Sequence, residues 1–417
     1  ALTTVSILDW NKVEDVFGHG MLVFDNLALA FGAVLAFVLL VWFVLFEESL
    51  RTTDRKIDLH TLVLFSFTGA IILASYQNLV MLFLGVEILS IPLYVLAASR
   101  RGDLLSNEAG FKYFFLGAFA SALLLFGIAL VFGSTGSFEL SAIGAAVDGV
   151  SSPSMLAAGM VLMLAGFAFK TGLAPFHFWT PDVYQGSPTP FTALMATVVK
   201  GAAFIAMFRF FGTLSNGGSY TDVMAFLAAA TLIVSNTSAL LQSDTKRLLA
   251  YSSISHAGFM LGAMMFCTTA EPSTLLYYVL VYSISSLASF AVLDYVSRYQ
   301  EGTLDIGSMK GLARRNPVMA GTMTLALLSM SGIPPLSGFM AKYLVITNVI
   351  SGGATWLAII MILTSAVAVY YYLRIIILMF TPIENAGRMV ISGTQNWTLL
   401  LLNVAMIGLF FAAGILF

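Results

Sequence analysis

Twelve apolar stretches, each long enough to cross the hydrocarbon core of a membrane, dominate this sequence. A helix needs about 20 residues to cross about 30 Å of hydrocarbon, and 59% of the 417 residues are hydrophobic while 10% are charged. The stretches lack the alternating polar residues that a membrane β-barrel requires. The sequence therefore predicts an all-α, polytopic bundle of about twelve transmembrane helices. We place the spans at 21–46, 60–76, 78–98, 109–133, 154–174 with a broken continuation to 186, 188–213, 220–241, 248–268, 273–297, 317–349 with a break at 333–338, 354–380 and 396–417.

Basic residues divide unevenly between the two sides of this predicted bundle. Lys12 and Arg209 fall on one side, whereas alternate loops on the other side hold fourteen basic residues. The fourteen are Arg51, Arg55, Lys56, Arg100, Arg101, Lys112, Lys246, Arg247, Arg298, Lys310, Arg314, Arg315, Arg374 and Arg388. Because cytoplasmic loops are rich in Lys and Arg, we predict that these loops are cytoplasmic. Both ends of the chain then face the opposite side, with residues 1–20 as a segment before a transmembrane domain at 21–417.

Four ionisable residues lie near the middle of the predicted membrane depth: Glu87, Lys170, Lys200 and Lys342. A charge near the bilayer centre costs at least a few kcal/mol, so such a side chain usually faces the bundle interior and has a polar partner. Burial destabilises the charged form of a lysine, and a nearby carboxylate stabilises it again. We therefore interpret the four residues as a proton relay. The alternative is that each charge only holds helices together or extends to the membrane surface.

Lysines on helices packed 8 to 10 Å apart cannot exchange protons directly. Polar side chains or water must lie between them, and the stretch YSSISHAG supplies Ser252, Ser253, Ser255 and His256. We predict supporting roles in the relay for Ser253, Tyr251 and His256, and for Lys246 five residues before Tyr251. The alternative for His256 is an ordinary hydrogen-bonded residue of the core.

Proline and glycine interrupt two of the predicted spans. The fifth contains Pro175 and Pro181, and the tenth contains Pro334 and Pro335, which break an α-helix because proline lacks an amide hydrogen. Irregular backbone survives at membrane depth only within protein or beside a wet cavity.

The two breaks suggest an internal repeat. One lysine precedes the first break by five residues and another follows the second break by seven, a mirror relation that we take as a sign of two inverted pseudo-repeats. We place the half-repeats at about 60–214 and 220–380, followed by a C-terminal helix at 396–417.

Nothing in the sequence predicts a bound cofactor or metal. GxGxxG, P-loop and paired CxxC motifs are absent, and Cys267, the single cysteine, permits no internal disulfide and no thiolate-based zinc or iron–sulfur site. A net charge of −2 gives no basic face for nucleic acid. Any redox chemistry served by this chain must therefore take place on a partner.

Several motifs together resemble one membrane protein family. FKTGLAPFHFWTPDVYQGSPTP, ATVVKGAAF, SDTKRLLAYSSISHAGFM, SGIPPLSGFMAKY and AVYYYLRI, with FLGVEILSIPLYVL before them, resemble in the same order the antiporter-like subunits of NADH:quinone oxidoreductase, respiratory complex I. WTPDVYQGSPTP and the three consecutive tyrosines at 370–372 are most similar to subunit N of the bacterial complex. The resemblance covers most of residues 60–380.

This resemblance implies a proton-pumping subunit in the membrane arm of the complex, in the bacterial inner membrane. It implies that Glu87 pairs with Lys170, that Lys200 is the central lysine and that Lys342 lies near the exit. FMN, iron–sulfur clusters and quinone are expected on partner subunits, and subunits of the M type and of the K or J type are expected as neighbours. Family members usually have fourteen helices, so two more are expected before the stretch at 21–46.

Two other classes of function stay open on the sequence alone. One is a subunit of a multi-subunit cation/proton antiporter, because such proteins resemble the same family. The other is a purely structural role, in which the buried charges serve assembly.

Overall fold

The computed structural model describes residues 15–51, 55–214, 218–266, 272–300, 304–383 and 387–416, and this part of the chain is almost entirely helical. Lys12, Cys267 and most of the predicted segment 1–20 lie outside the described residues. The helices before the first break are α1 (Asn26–Arg51), α2 (Lys56–Ser75), α3 (Leu79–Ala97), α4 (Leu104–Thr135), the short α5 (Leu140–Ala146) and α6 (Pro153–Thr171).

Eleven further helices follow the first break within the described ranges. They are α7 (Trp179–Gly186), α8 (Thr189–Leu194), α9 (Lys200–Gly212), α10 (Gly218–Leu240), α11 (Thr245–Met265), α12 (Ser273–Tyr299), α13 (Leu312–Arg315), α14 (Pro317–Ser331), α15 (Ser337–Ser351), α16 (Thr355–Phe380) and α17 (Gly393–Leu416). A π-helical turn, Met195–Val199, joins α8 to α9.

The predicted helical spans are confirmed. Among the described residues, eleven helical segments are long and apolar enough to cross a membrane, and the broken pair α14 and α15 supplies a twelfth span. The ends of the spans differ from the prediction by a few residues, because polar caps rather than hydropathy set them. Side chains of Asn78, Asp103, Asp244 and Asn316 accept hydrogen bonds from the first backbone amides of α3, α4, α11 and α14, where helical amides lack partners.

The start of the first predicted span was wrong. Residues 21–25 do not begin the helix, since β1 (Asp15–Phe17) and β2 (Leu22–Phe24) pair as a short antiparallel hairpin. Its turn holds Gly18, His19 and Gly20 in the left-handed region, which favours glycine. Asp25 then caps α1, with its carboxylate 2.8 Å from the amide of Ala28.

The centre of the bundle is formed by α8, α9, α11 and α12, whose residues are almost wholly buried. Helix α12 packs against α1, α8, α14, α15 and α17. In contrast, α4, α16 and α17 lie at the periphery and expose many large apolar side chains, as expected for surfaces that face lipid or another membrane protein. Lys200, Lys246 and His256, which lie on these central helices, are therefore inside the protein.

Both helix breaks begin with the same glycine motif. Helix α6 ends at Gly172 (φ +76°) and α14 ends at Gly332 (φ +86°), and the next amide bonds back to Ala168 O at 2.8 Å or to Leu328 O at 3.1 Å. These are Schellman caps. The first break occupies residues 172–178, so Pro181 does not lie in it but in the first turn of α7, where proline is tolerated.

The mirror argument for the repeat was wrong. An inverted repeat reverses the direction across the membrane but keeps the chain order, so equivalent residues lie on the same side of each break. Aligning Gly172 with Gly332 makes Met330, and not Lys342, the equivalent of Lys170. The fifth and tenth spans still run in opposite directions, because four spans lie between them. The half-repeats at 60–214 and 220–380 stay a prediction.

A buried arginine fastens the end of α9 to α1 and α2. Arg209 at the end of α9 donates from Nε to Ala74 O at 2.6 Å and from Nη2 to the carboxylate of Asp25. Nearby, the hydroxyl of Tyr76 donates to Ala206 O at 2.6 Å. The arginine is 4% exposed, so these contacts tie α1, α2 and α9 together in a site of low polarity.

We expect Arg209→Ala to destabilise the protein by about 3 kcal/mol, since removing one partner of a buried ion pair leaves the other charge uncompensated. The thermal midpoint of the detergent-solubilised protein, followed by size-exclusion chromatography after heating, measures the effect. Arg388→Ala is the control, because Arg388 is exposed. Equal thermal midpoints for the two variants would contradict the stabilising role of Arg209.

Candidate functional site

Lys170 lies in the last turn of α6, 7% exposed. Its Nζ lies 5.6 Å from the ring centroid of Tyr94 and 5.9 Å from that of Tyr113, which is cation–π range. Within the described part of the chain, no hydrogen bond from this ammonium to a protein oxygen is present. The ammonium charge of Lys170 is therefore stabilised by the two aromatic rings and by the electrostatic field of nearby charged groups.

Glu87 on α3 supplies part of that field. One of its carboxylate oxygens is buried without a hydrogen-bond partner, and the carboxylate lies within electrostatic reach of both Lys170 and Tyr94. No direct ion pair of 4.0 Å or less joins Glu87 and Lys170. Glu87 and Lys170 are thus neighbours whose charged groups lie more than 4.0 Å apart.

Lys200 follows the π-helical turn and is 3% exposed. Its Nζ donates to the backbone oxygen of Ser253 at 2.6 Å and also to the hydroxyl of Ser253. The ring centroid of Tyr282 lies 5.8 Å away. A π turn widens the helix locally and is common at functional sites. Here it sets the rotation of the lysine toward α11.

Ser253 is the meeting point of several helices. Besides Lys200, the hydroxyl of Tyr282 donates to Ser253 Oγ at 2.7 Å, and Tyr184 of α7 lies near the Ser253 side chain. From Tyr184, ring contacts lead through Trp179 at 6.2 Å to Tyr113, which stacks on Trp179 at 4.6 Å. Ser253 is thus connected to Lys200 by hydrogen bonds and to the surroundings of Lys170 by aromatic side chains.

His256 lies one helical turn beyond Ser253 on α11. Its Nδ1 is 2.8 Å from the hydroxyl of Tyr278, and its ring is 4.9 Å from that of Tyr282. The charges of Lys342 and Lys200 both act on it. On α11 the histidine lies between Ser253, which binds Lys200, and Phe259, which faces Lys342.

A small cavity of about 10 Å³ adjoins His256 on the side of Lys342. That volume is about the smallest that admits one water molecule. Ser285 and Ser329, which are hydrogen-bonded to each other at 3.0 Å, line it together with Gly338. The gap between His256 and α15 is therefore about large enough for a single water, with a mostly apolar lining in which Ser285 and Ser329 are polar.

Lys342, 6% exposed, lies across the second break. Its Nζ donates to the backbone oxygen of Ser331 at 3.1 Å and to the hydroxyl of Ser365 at 3.3 Å, and Phe259 faces it at 5.0 Å. Ser331 is the last residue of α14, so the ammonium sits at the negative end of that helix dipole. Gly332 is part of the site, since a Cβ there would lie 3.0 Å from the lysine chain.

The remaining predicted residues occupy other places. Lys246 is buried at the start of α11 and donates to the backbone oxygens of Gln185, at 3.1 Å, and Ser187, so it caps the end of α7. Tyr251 is half-buried, and no hydrogen bond within the described ranges joins it to the lysines. Pro175 and Pro335 lie in the two breaks themselves.

Ser252 and Ser255 belong to a second buried network. Ser252 bonds to the hydroxyl of Tyr372. Asn236 on α10 donates to Ser255 at 2.9 Å and accepts from Tyr371 at 3.1 Å. This network joins α10, α11 and α16 and lies on a different side of α11 from Lys200. Of the polar residues in YSSISHAG, only Ser253 and His256 therefore belong to the row of buried lysines formed by Lys170, Lys200 and Lys342, called the lysine row below.

Sequence reasoning missed several polar residues of this site. Tyr278, Tyr282, Ser285 and Ser289 recur at intervals of three and four residues along α12, and this helical spacing places them on one face. That signal was present in the sequence. Asp294 was also missed: it is buried near the end of α12 and accepts from Ser49 Oγ.

Comparison with known proteins places this chain in a family. The profile described as NADH:quinone oxidoreductase/Mrp antiporter, transmembrane, matches residues 76–369. NADH-quinone oxidoreductase subunit N of Cytophaga hutchinsonii is 41% identical over 378 residues, which covers 90% of this chain and 81% of that protein. The protein of the same name from Bdellovibrio bacteriovorus is 36% identical over 416 residues, covering 97% and 85%.

Solved structures agree with the sequence comparisons. A chain of respiratory complex I from Thermus thermophilus, with bound aureothin, superposes with a TM-score of 0.85 at 34% identity, covering 99% of this chain and 89% of that one. A chain of the Mrp complex from a Dietzia species superposes with a TM-score of 0.89 at 20% identity, covering 100% and 88%, which shows a shared fold alone. The fold and the row of buried lysines thus define an antiporter-type membrane subunit. Within that class, the chain belongs to the family of NADH-quinone oxidoreductase subunit N, as the motifs predicted.

We expect Gly338→Ala to displace α15 and to cost about 1–3 kcal/mol, because overpacking a tight contact moves the backbone. A Cβ at Gly338 would lie 1.8 Å from Ser329 O. Gly321→Ala on α14 is the matched control, since its Cβ would meet no atom within 4 Å. The thermal midpoint of the solubilised protein measures both variants, and an unchanged midpoint for Gly338→Ala would refute the close approach.

Proposed function

We propose that this chain translocates protons as subunit N of a bacterial NADH-quinone oxidoreductase, driven by quinone reduction elsewhere in the complex. One observation carries the proposal. Lys200 and Lys342 are buried in the bundle, and among the described residues their hydrogen-bond partners are neutral oxygen acceptors. They contact Ser253 and Phe259 of α11, and His256 lies between these two residues. A buried ammonium without a carboxylate partner can release its proton without leaving an opposite charge uncompensated.

The first step would depend on the gap between Glu87 and Lys170. A carboxylate within about 4–6 Å favours the charged form of a lysine, and its withdrawal favours the neutral form. Movement of α3, which carries the carboxylate, would therefore load and unload Lys170. The unpartnered oxygen of Glu87 supports this role, because no hydrogen bond of that atom would have to break.

Protons would then pass from Lys170 toward Lys200 and onward to Lys342. Tyr184 and Tyr282 both reach Ser253, and hydroxyl groups both donate and accept protons. His256 and a water in the adjoining cavity would complete the path to Lys342. In this scheme His256 passes the proton between its ring nitrogens and the neighbouring water.

Membership of the family supports further proposals about redox centres, neighbouring subunits and orientation in the membrane. The chain would hold no redox centre of its own, so that FMN, iron–sulfur clusters and quinone would be bound by partner subunits. Subunits of the M type on one side and of the K or J type on the other would flank it in the membrane arm. The protein would lie in the inner membrane with residues 15 and 416 toward the non-cytoplasmic side, because this places the basic loops in the cytoplasm.

A role as a subunit of a multi-subunit cation/proton antiporter is the less favoured function. The Mrp chain shares the fold at 20% identity, whereas proteins named subunit N are 36% to 41% identical. Co-purification with NADH-oxidising flavin and iron–sulfur subunits would separate the two assignments.

We expect Lys170→Met or Lys342→Met to reduce proton pumping by roughly tenfold or more, since a positioned proton-transfer group commonly contributes a factor of about 10² or more. Inverted membrane vesicles with NADH as substrate and a pH-sensitive dye provide the measurement. Lys310→Met is the control, because Lys310 is exposed. Full pumping by the lysine variants in an assembled complex would leave the buried charges a structural role only.

We expect Glu87→Gln to slow quinone reduction and pumping together, because Lys170 would lose the charge that modulates it. The matched control is Glu139→Gln, an exposed glutamate that precedes α5 and makes no capping hydrogen bond. Rates of NADH oxidation and of acidification in the same vesicles test this prediction. Equal rates for the two variants would argue that Lys170 titrates independently of Glu87.

A further inference from the structure

A cavity of about 770 Å³ lies outside the lysine row, between the predicted cytoplasmic ends of α1, α2, α3 and α4. It opens at the surface of the bundle, and the end of α12 and the start of α8 close its inner side. Of the residues that line this cavity, only Tyr94 lies beside a lysine of the proposed relay. Its lining therefore needs a separate explanation.

The rim of the cavity is strongly basic. Arg55, Arg100, Arg101 and Arg298 line it, and Asp58 is the acidic residue among them. Arg298 is engaged by Glu48 at 3.2 Å and by a buried aspartate of its own helix at 3.4 Å. None of the ion pairs formed by the described residues includes the other three arginines. Three guanidinium groups at one cavity mouth thus retain free hydrogen-bonding capacity.

The wall below these arginines is apolar. Leu62 of α2, Val95 of α3 and Phe114 of α4 line it. Val95 is 53% exposed and Phe114 is 54% exposed, although both lie on membrane helices beside the cavity. A molecule that fits this cavity must therefore carry a negative charge at one end and a hydrocarbon chain at the other.

We propose that this cavity binds an anionic glycerophospholipid of the cytoplasmic leaflet, with its phosphate at Arg100 and Arg101 and its acyl chains along Val95 and Phe114. Guanidinium groups bind phosphate oxygens through paired hydrogen bonds, and basic pockets between membrane helices on the cytoplasmic side recognise anionic headgroups. Free phosphate would satisfy the rim but not the apolar wall. An uncharged lipid would satisfy the wall but not the rim.

The position of the lipid gives it a second effect. Tyr94 lines the inner end of the cavity and is itself 7% exposed, and its ring lies 5.6 Å from Lys170 Nζ. A lipid in the cavity separates Tyr94 from bulk water. The binding site itself exists whether or not Lys170 carries protons.

Native mass spectrometry of the detergent-purified complex, titrated with dioleoyl phosphatidylglycerol or dioleoyl phosphatidylcholine, tests the proposal. We expect one additional phosphatidylglycerol to be retained by the unmodified complex, and phosphatidylcholine to bind clearly more weakly. In Arg100→Gln/Arg101→Gln the affinity for phosphatidylglycerol should fall by roughly 25-fold, a factor of about five for each arginine near an anionic lipid. Arg314→Gln/Arg388→Gln removes two exposed arginines elsewhere and should leave the affinity unchanged.

Three results would overturn the proposal. One is equal retention of the two lipids by the unmodified complex, a comparison that needs no variant. Another is displacement of phosphatidylglycerol by glycerol phosphate at equal concentration, which would mean that the apolar wall contributes nothing. The third is a structure of the whole complex in which a segment of a neighbouring subunit fills the cavity. Weaker lipid retention in Phe114→Ser, with the complex intact, would support the placement of the acyl chains.

Discussion

Every backbone carbonyl that leaves its helix inside a membrane must find a donor within the protein, and the rest of this structure depends on how that requirement is met. At the second break, Lys342 donates to the carbonyl of Ser331. At the end of α7, Lys246 donates to the carbonyls of Gln185 and Ser187. At the second break, the lysine that satisfies a free carbonyl is also one of the titratable groups of the bundle. Broken backbone and buried charge are thus two parts of one arrangement, because each compensates the cost of the other.

The choice of partners separates the central lysines from the other cations. Lys112 is bound by Glu108 and Asp182, and Arg209 by Asp25, so these charges are fixed by opposite charges. Lys200 and Lys342 are bound by carbonyl and hydroxyl oxygens. Since neutral partners leave the net charge of each site to its own protonation state, a change at one site alters the potential at the next. In a medium of low polarity that influence extends over several ångströms.

Much of this could be predicted from the sequence, since it rests on local properties. Hydropathy placed all twelve spans, and the rarity of charge in them identified Glu87, Lys170, Lys200 and Lys342. Sequence could not predict that Ser253 joins Lys200, Tyr184 and Tyr282, because these residues meet only through packing of α7, α9, α11 and α12. Nor could it separate Ser253 from Ser252 one residue earlier, which faces a different network. The proton-carrying roles themselves stay a prediction.

The π-helical turn at Met195–Val199 has a further consequence. An α-helix rotates by about 100° per residue, so the one extra residue that a π turn accommodates determines which neighbour Lys200 faces. Removing a single residue there would let α8 and α9 join as one regular helix and would turn the lysine away from Ser253, although every chemical group would still be present. The register of one helical turn, and not only the identity of the lysine, therefore decides whether Lys200 meets Ser253 of α11.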